Sequence, residues 1–309
     1  MKIFITGATG FIGRHAVSLL TQNNHDLMLL IRRHGQNPFI TAADNKQISV
    51  VYGDLSDIEG WRKFFIEFKP DALLHIAWEG LPNYGIEMCR LNFNHGLNLF
   101  LMAAKAGCGT IMSIGSCWEY REKKGALHEN STIDSTKAFP AFKNALRITG
   151  EAIAREYKIR FYWPRLFFVY GPGQREASLI PSIIRAVSLG ETPNIKNYAN
   201  KNDFIYVEDV AAALVKIIQK KPDGIIYNIG SGFSTAVLDV LSLVYETMGY
   251  KKNYIREIKA VDNSMKDDFW ADTANIRKDV GWTPNFSLTD GIKNTVHYFA
   301  DLEKSGVVK

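Results

Sequence analysis

Short, almost wholly apolar runs alternate with longer amphipathic stretches through the first half of the chain. Lys2–Thr6, Leu27–Ile31, Ser49–Tyr52, Ala72–Ile76 and Thr110–Ile114 read as strands, being brief, apolar and bounded by turn residues. Arg160–Trp163 offers a sixth. Between them Phe11–Gln22, Ile58–Phe68, Arg90–Ala106 and Phe142–Tyr157 are the predicted helices. Strands apolar on both faces and separated by helices imply a parallel sheet covered on both sides. After Gly171-Pro172-Gly173 the pattern changes to helices at Leu179–Leu189, Val207–Gln219, Val237–Met248 and Leu288–Leu302, with short strands such as Ile225–Ile229. The expectation is an α/β chain with a doubly wound parallel sheet over residues 1–170. A segment near 203–222 returns to that sheet, and 171–309 mainly form a smaller C-terminal α/β lobe that binds substrate. Ligands of such sheets sit at the carboxyl ends of the strands.

Composition narrows the classes. The 309 residues are 46% apolar and 22% charged, with a net charge of +5 and no Lys/Arg-rich run, so nucleic acid is not expected as a partner. Cys89, Cys108 and Cys117 are odd in number and form no CxxC pair, which suits a reducing compartment, the cytoplasm. The seven histidines show no ligand spacing, and no metal is expected. The apolar runs fall short of a membrane span, and the N-terminus enters a strand directly, without a leader-like pattern.

Thr6-Gly7-Ala8-Thr9-Gly10-Phe11-Ile12-Gly13 follows the first strand and opens the first helix. Gly7 permits a tight turn, Gly10 lets the backbone approach a pyrophosphate, and Gly13 allows close helix–sheet packing. The helix N-terminus would hold the diphosphate. The strand-before, helix-after context makes this a dinucleotide site on a Rossmann-type sheet, with Thr9, Phe11 and Ile12 as further contacts. The second strand ends in Arg32-Arg33, with no carboxylate to accept from a ribose 2′-hydroxyl. Guanidinium groups suit a 2′-phosphate, so NADP(H) is expected ahead of NAD(H).

The GxxGxxG spacing resembles the extended short-chain dehydrogenase/reductase family, and the resemblance runs over nearly the whole chain. Gly53-Asp54-Leu55 resembles the adenine-contacting segment, His75-Ile76-Ala77 the turn after the fourth strand, and Asn92 a structural asparagine. Phe168–Gly173, Asp203–Asp209, Asn228–Gly232 and Gly281–Pro284 recur in members acting on nucleotide sugars. The resemblance implies cofactor contacts from Asp54, Leu55, Ala77 and Asn92, and catalysis by a serine with a Tyr-x-x-x-Lys pair. Ser116 matches the serine and Lys143 the lysine, which would also hold the nicotinamide ribose. Phe139 stands where the tyrosine belongs, and a phenyl ring cannot donate a proton. Three readings remain open: an engineered replacement, which is preferred; a natural variant using another acid, such as water held by Ser116; or a cofactor binder without turnover.

The segments around Ser116, Lys143 and Trp163–Gly173 are most similar to enzymes of deoxy-sugar nucleotides. They imply NADPH-dependent reduction of a 4-keto-6-deoxyhexose linked to dTDP or CDP. The alternatives are a 4-epimerase with bound NAD, or a non-catalytic NADP(H)-binding protein. Trp118 is a candidate sugar contact, Leu179 a base contact, and Lys201 or Lys266 a stand-in for the family's diphosphate-gripping arginine, where this chain has Asn202. A homodimer through the helices around 90–106 and 142–157 is implied by the resemblance alone.

Overall fold

Alternate residues of the first strand enter different cores. Ile3 and Ile5 pack on one side of a sheet and Phe4 on the other, so both faces are dry. The computed structural model of the chain describes residues 1–32, 46–250 and 267–304. The first half runs β1 (Lys2–Thr6), α1 (Phe11–Gln22), β2 (Asp26–Ile31), β3 (Ile48–Tyr52), α2 (Arg62–Phe68), β4 (Ala72–His75), α3 (Ile86–Lys105) and β5 (Thr110–Ser113). Then come β6 (Gly115–Ser116), a 3₁₀ turn at Cys117–Glu119, β7 (Lys124–Leu127), α4 (Ala138–Tyr157), β8 (Arg160–Leu166), β9 (Phe168–Tyr170) and α5 (Leu179–Ser188). The remainder is β10 (Lys201–Asn202), β11 (Phe204–Tyr206), α6 (Val207–Lys220), β12 (Ile226–Ile229), β13 (Thr235–Ala236), α7 (Val237–Thr247), β14 (Asp268–Ala271), α8 (Ala274–Val280) and α9 (Leu288–Lys304).

The main sheet has the order β12-β8-β5-β4-β1-β2-β3, all parallel, with β6 also pairing to β8. This is the doubly wound Rossmann-type arrangement. Its strand order reverses between β1 and β4, which opens a crevice at their carboxyl ends. Helices α1, α6 and α8 cover one face, and α2, α3 and α4 the other. The strand that returns to the sheet is β12, while α6 lies against α1. A separate core built from α5, α7 and α9 forms the C-terminal lobe, with a four-stranded sheet, β13-β10-β14-β7, beside it.

Three helix starts differ from the sequence expectation. α2 begins at Arg62 rather than Ile58, because Trp61 adopts a non-helical φ of −128° at its cap. α3 begins at Ile86 rather than Arg90, after Gly85 in extended conformation. α4 begins at Ala138 rather than Phe142. Pro140 is tolerated there because first-turn N–H groups have no intrahelical partner to lose. The earlier start places Phe139 and Lys143 one turn apart on the same helix.

Candidate active site

The turn between β1 and α1 builds the cofactor half. Gly7 has a φ of +75°, and a Cβ on it would come within 2.6 Å of the Ala77 backbone nitrogen. A Cβ on Gly13 would collide with the Gly7 carbonyl. Both glycines therefore serve close backbone approach. Gly10 caps α1, whose first turn carries no acidic side chain, so its N-terminal N–H groups present a site for a diphosphate.

A cleft of about 630 Å³ opens over this turn. Gly7, Thr9, Gly10, Phe11 and Ile12 line it, together with Asp54, Leu55, Ala77 and Asn92. Arg14 and Arg175 add positive charge to its wall. Gly13 lies behind the turn as a packing residue. Asn92 fastens the loop between β4 and α3: its Oδ1 accepts from the Glu79 N–H at 2.6 Å, and its Nδ2 donates to the carbonyls of Glu79 and Met88.

A second cavity of about 440 Å³ adjoins the first. The two share Ile12, Ile76, Trp78, Leu81, Val169, Gln174 and Ser178, and so form one continuous cleft. Ser116, Trp118, Phe139, Lys143 and Leu179 line the second part. Asn202 does so as well, whereas Lys201 lines neither part and pairs instead with Asp268 at 3.5 Å. Lys266 and Arg33 lie outside the described residues. Two buried polar atoms at the junction, Trp78 Nε1 and Gln174 Oε1, have no hydrogen-bond partner among the described residues. A buried polar group without a partner is costly, so these atoms fit a polar ligand spanning the junction.

Ser116 ends β6, paired in register with Leu166 of β8. Its Oγ accepts from the Trp118 N–H at 3.2 Å, which leaves the hydroxyl hydrogen for a ligand. Its own N–H donates to Glu119 Oε1 at 2.8 Å. Glu119 is fully buried and also accepts from Trp163 Nε1 and from Arg165 Nε, the latter at 2.8 Å. Lys143 donates to the Ile114 carbonyl at 2.7 Å, with its ammonium 3.9 Å from the centre of the Trp78 ring. Burial pushes Lys143 down to about 8, opposed by the negative charge of Glu119. The Glu119–Arg165 pair and the two orphaned atoms escape sequence reasoning. Their partners come from distant segments, and no short motif records them.

Phe139 is 8% exposed and sits in an aromatic cage. Its ring centre lies 5.4 Å from that of Trp78, 5.1 Å from Tyr84 and 6.3 Å from Trp118. The site thus brings Ser116, Lys143 and the Phe139 position together beside the dinucleotide turn.

The model of the NAD dependent epimerase/dehydratase family matches residues 3–230. The chain belongs to this family. Among curated relatives, the dTDP-glucose 4,6-dehydratase of Neisseria gonorrhoeae is 27% identical, over 97% of this chain and 96% of its own. The solved UDP-glucuronic acid 4-epimerase of Bacillus cereus, in complex with NAD, superimposes with a TM-score of 0.83 at 22% identity, covering 98% of this chain and 99% of its own. A tyrosine-to-phenylalanine mutant of that epimerase, in complex with UDP-4-deoxy-4-fluoro-glucuronic acid and NAD, gives a TM-score of 0.81 at 20% identity, covering 98% of this chain and all of its own.

Membership of an NAD-dependent family, with solved neighbours holding NAD, overturns the expectation of NADP(H). The structure supplies a physical reason on the protein side. Arg32 does not stand free for a 2′-phosphate: its guanidinium pairs with Glu79 at 2.9 Å across the mouth of the cleft. The protein therefore carries a Rossmann-type dinucleotide cleft continuous with a second cavity lined in part by aromatic rings.

Proposed function

We propose that the protein is an NAD-dependent nucleotide-sugar 4-epimerase, acting on a UDP- or dTDP-linked hexose. The observation that carries this reading is the junction of the two cavities at Ile12, Ile76 and Trp78, with Ser116 and Lys143 on its sugar side. When bound, NAD supplies a reversible acceptor for two electrons and a hydrogen from the sugar carbon. The N-terminus of α1 would hold the diphosphate of bound NAD, and Lys143 of α4 would hold the nicotinamide ribose. Ser116 donates to the sugar oxygen and fixes the reacting carbon.

Relatives in the family include dehydratases, and the second cavity argues against that chemistry. Removing water across two sugar carbons needs one group to take a carbon-bound proton and another to protonate the leaving hydroxyl. Among the described residues lining the second cavity there is no aspartate, glutamate or histidine. A reversible oxidation at one carbon makes the smaller demand: one orienting hydroxyl and one proton-transfer group.

Incubation of the NAD-loaded protein with UDP-glucose, UDP-glucuronic acid and dTDP-glucose, followed by proton NMR, tests the reading. The expected result is inversion at the sugar C4 of at least one of them. Formation of a 4-keto-6-deoxy sugar in place of inversion would assign the chain to the dehydratases.

A further inference from the structure

The oxidation proposed above needs a group that takes the proton of the sugar hydroxyl, and Phe139 cannot. The residues lining the second cavity include two phenols, Tyr84 and Tyr170. Tyr170 is 2% exposed, donates to the Leu288 carbonyl at 3.3 Å, and is held by burial well above the usual phenol range. It is a structural hydroxyl of the C-terminal lobe. Serine hydroxyls are too weakly acidic to act alone, and Ser116 is already committed to orienting the substrate oxygen.

Tyr84 is placed differently. It stands in the loop between β4 and α3, one residue before the cap of α3. Asn83 holds that loop folded, its N–H donating to the Gly80 carbonyl at 2.7 Å and its Oδ1 accepting from the Gly85 N–H at 2.9 Å. The Tyr84 ring packs edge-on to Phe139 at 5.1 Å and against Trp118 at 5.2 Å. Trp118 is in turn bound through its N–H to Ser116 Oγ. The Tyr84 ring thus lines the same cavity as Ser116 and packs on the ring that replaces the expected tyrosine. Its hydroxyl is not used in a hydrogen bond to any described residue. Phe139 carries no oxygen at its para position, whereas the neighbouring Tyr84, 5.1 Å away between ring centres, is a phenol.

We propose that Tyr84, supplied from the loop between β4 and α3, is the general acid and base of this site in place of a tyrosine at position 139. The inference rests on the proposed C4 chemistry. In the oxidation half, the Tyr84 phenolate oxygen takes the C4 hydroxyl proton, and bound NAD would accept the two electrons and the hydrogen of the breaking C4–H bond. In the return half, the Tyr84 phenol gives the proton back to the carbonyl oxygen as the carbon regains its hydrogen on the opposite face. The Lys143 ammonium stands on the other side of Phe139, 5.9 Å from its ring centre.

The test uses the NAD-loaded full chain, Tyr84→Phe, Phe139→Tyr and the double variant. Two readouts are taken: UDP-hexose and NAD affinity by calorimetry, and turnover with single-turnover absorbance of reduced nicotinamide. Loss of proton transfer by a positioned group typically costs about 100-fold or more. The expected result is that Tyr84→Phe binds both ligands within about threefold of the parent but loses about 100-fold in both rates, and that the double variant recovers them. Parent and Tyr84→Phe turning over within about threefold of each other would overturn the proposal. So would an inactive parent. In that case activity in Phe139→Tyr keeps the epimerase reading while discarding the role of Tyr84, and inactivity of both removes the two together.

Discussion

His75 closes β4 under the cofactor turn, with its Nδ1 2.7 Å from Thr6 Oγ1 and almost no exposure. Burial holds its imidazole down at about 3, helped by the positive charges of Lys143 and His95. In the unfolded chain a histidine titrates near about 6.5. From that pH down to the folded value, the unfolded state binds a proton that the folded state refuses, so stability falls as pH falls. Urea unfolding at pH 6.5 and pH 5 should show a loss of up to about 2 kcal/mol from this group, a slope that His75→Asn removes. Equal slopes in the two proteins would contradict the assignment. The same scale shows what a sequence conceals. Gly7, Gly10, Ser116 and Lys143 are legible because each carries a fixed spacing to a strand or helix end. Arg32 is misleading because Glu79, which engages it, is contributed by a different strand's loop. Lys201 is misleading for the same reason, its charge being taken up by Asp268. Tyr84 carries no motif at all, and only the packing of its loop against α4 brings it to Phe139.

The elements that shape the site are the turn after β1, the loop after β4 and the first turn of α4. The main strands are evident from the chain, because strands dry on both faces have few polar positions to confuse the pattern. The strands of two to four residues beside the C-terminal lobe, such as β7, β10, β13 and β14, are too short to show a period. The starts of α3 and α4 lie upstream of the expected ones, after Gly85 and Lys137 in extended conformation. The loop after β4 depends on Asn92 for its shape. Asn92→Leu removes three hydrogen bonds and strands the backbone of Glu79, at a cost of about 1–3 kcal/mol. Urea titration should show that loss, and nucleotide released from the purified variant should fall with it, because Glu79 and Ala77 form the cleft wall. Unchanged midpoint and unchanged nucleotide content would mean that the loop holds its shape without Asn92.

At the scale of the fold, the sheet and the C-terminal lobe are joined by buried polar groups rather than by apolar packing alone. Asp203 is fully buried and accepts from the N–H groups of Ser231, Gly232 and Ala271, while Tyr120, Arg165 and Asn228 link the 3₁₀ turn to β8 and β12. Such networks fix one arrangement of the lobes, and with it the width of the cleft that a dinucleotide and a sugar must share. The turn of the cofactor half was readable from Gly7–Gly13, which follow β1. The sugar half was not, because its walls come from α4, β8, β9 and two loops that meet only in the folded chain. Which dinucleotide the cleft holds decides the chemistry it can support. The measurement that tests this most directly is mass spectrometry of the nucleotide released from the purified protein by denaturation. NAD or NADH, with no 2′-phosphorylated form, is the expected result. Release of NADP or NADPH would contradict it, and would return Arg32 to the role of a phosphate ligand.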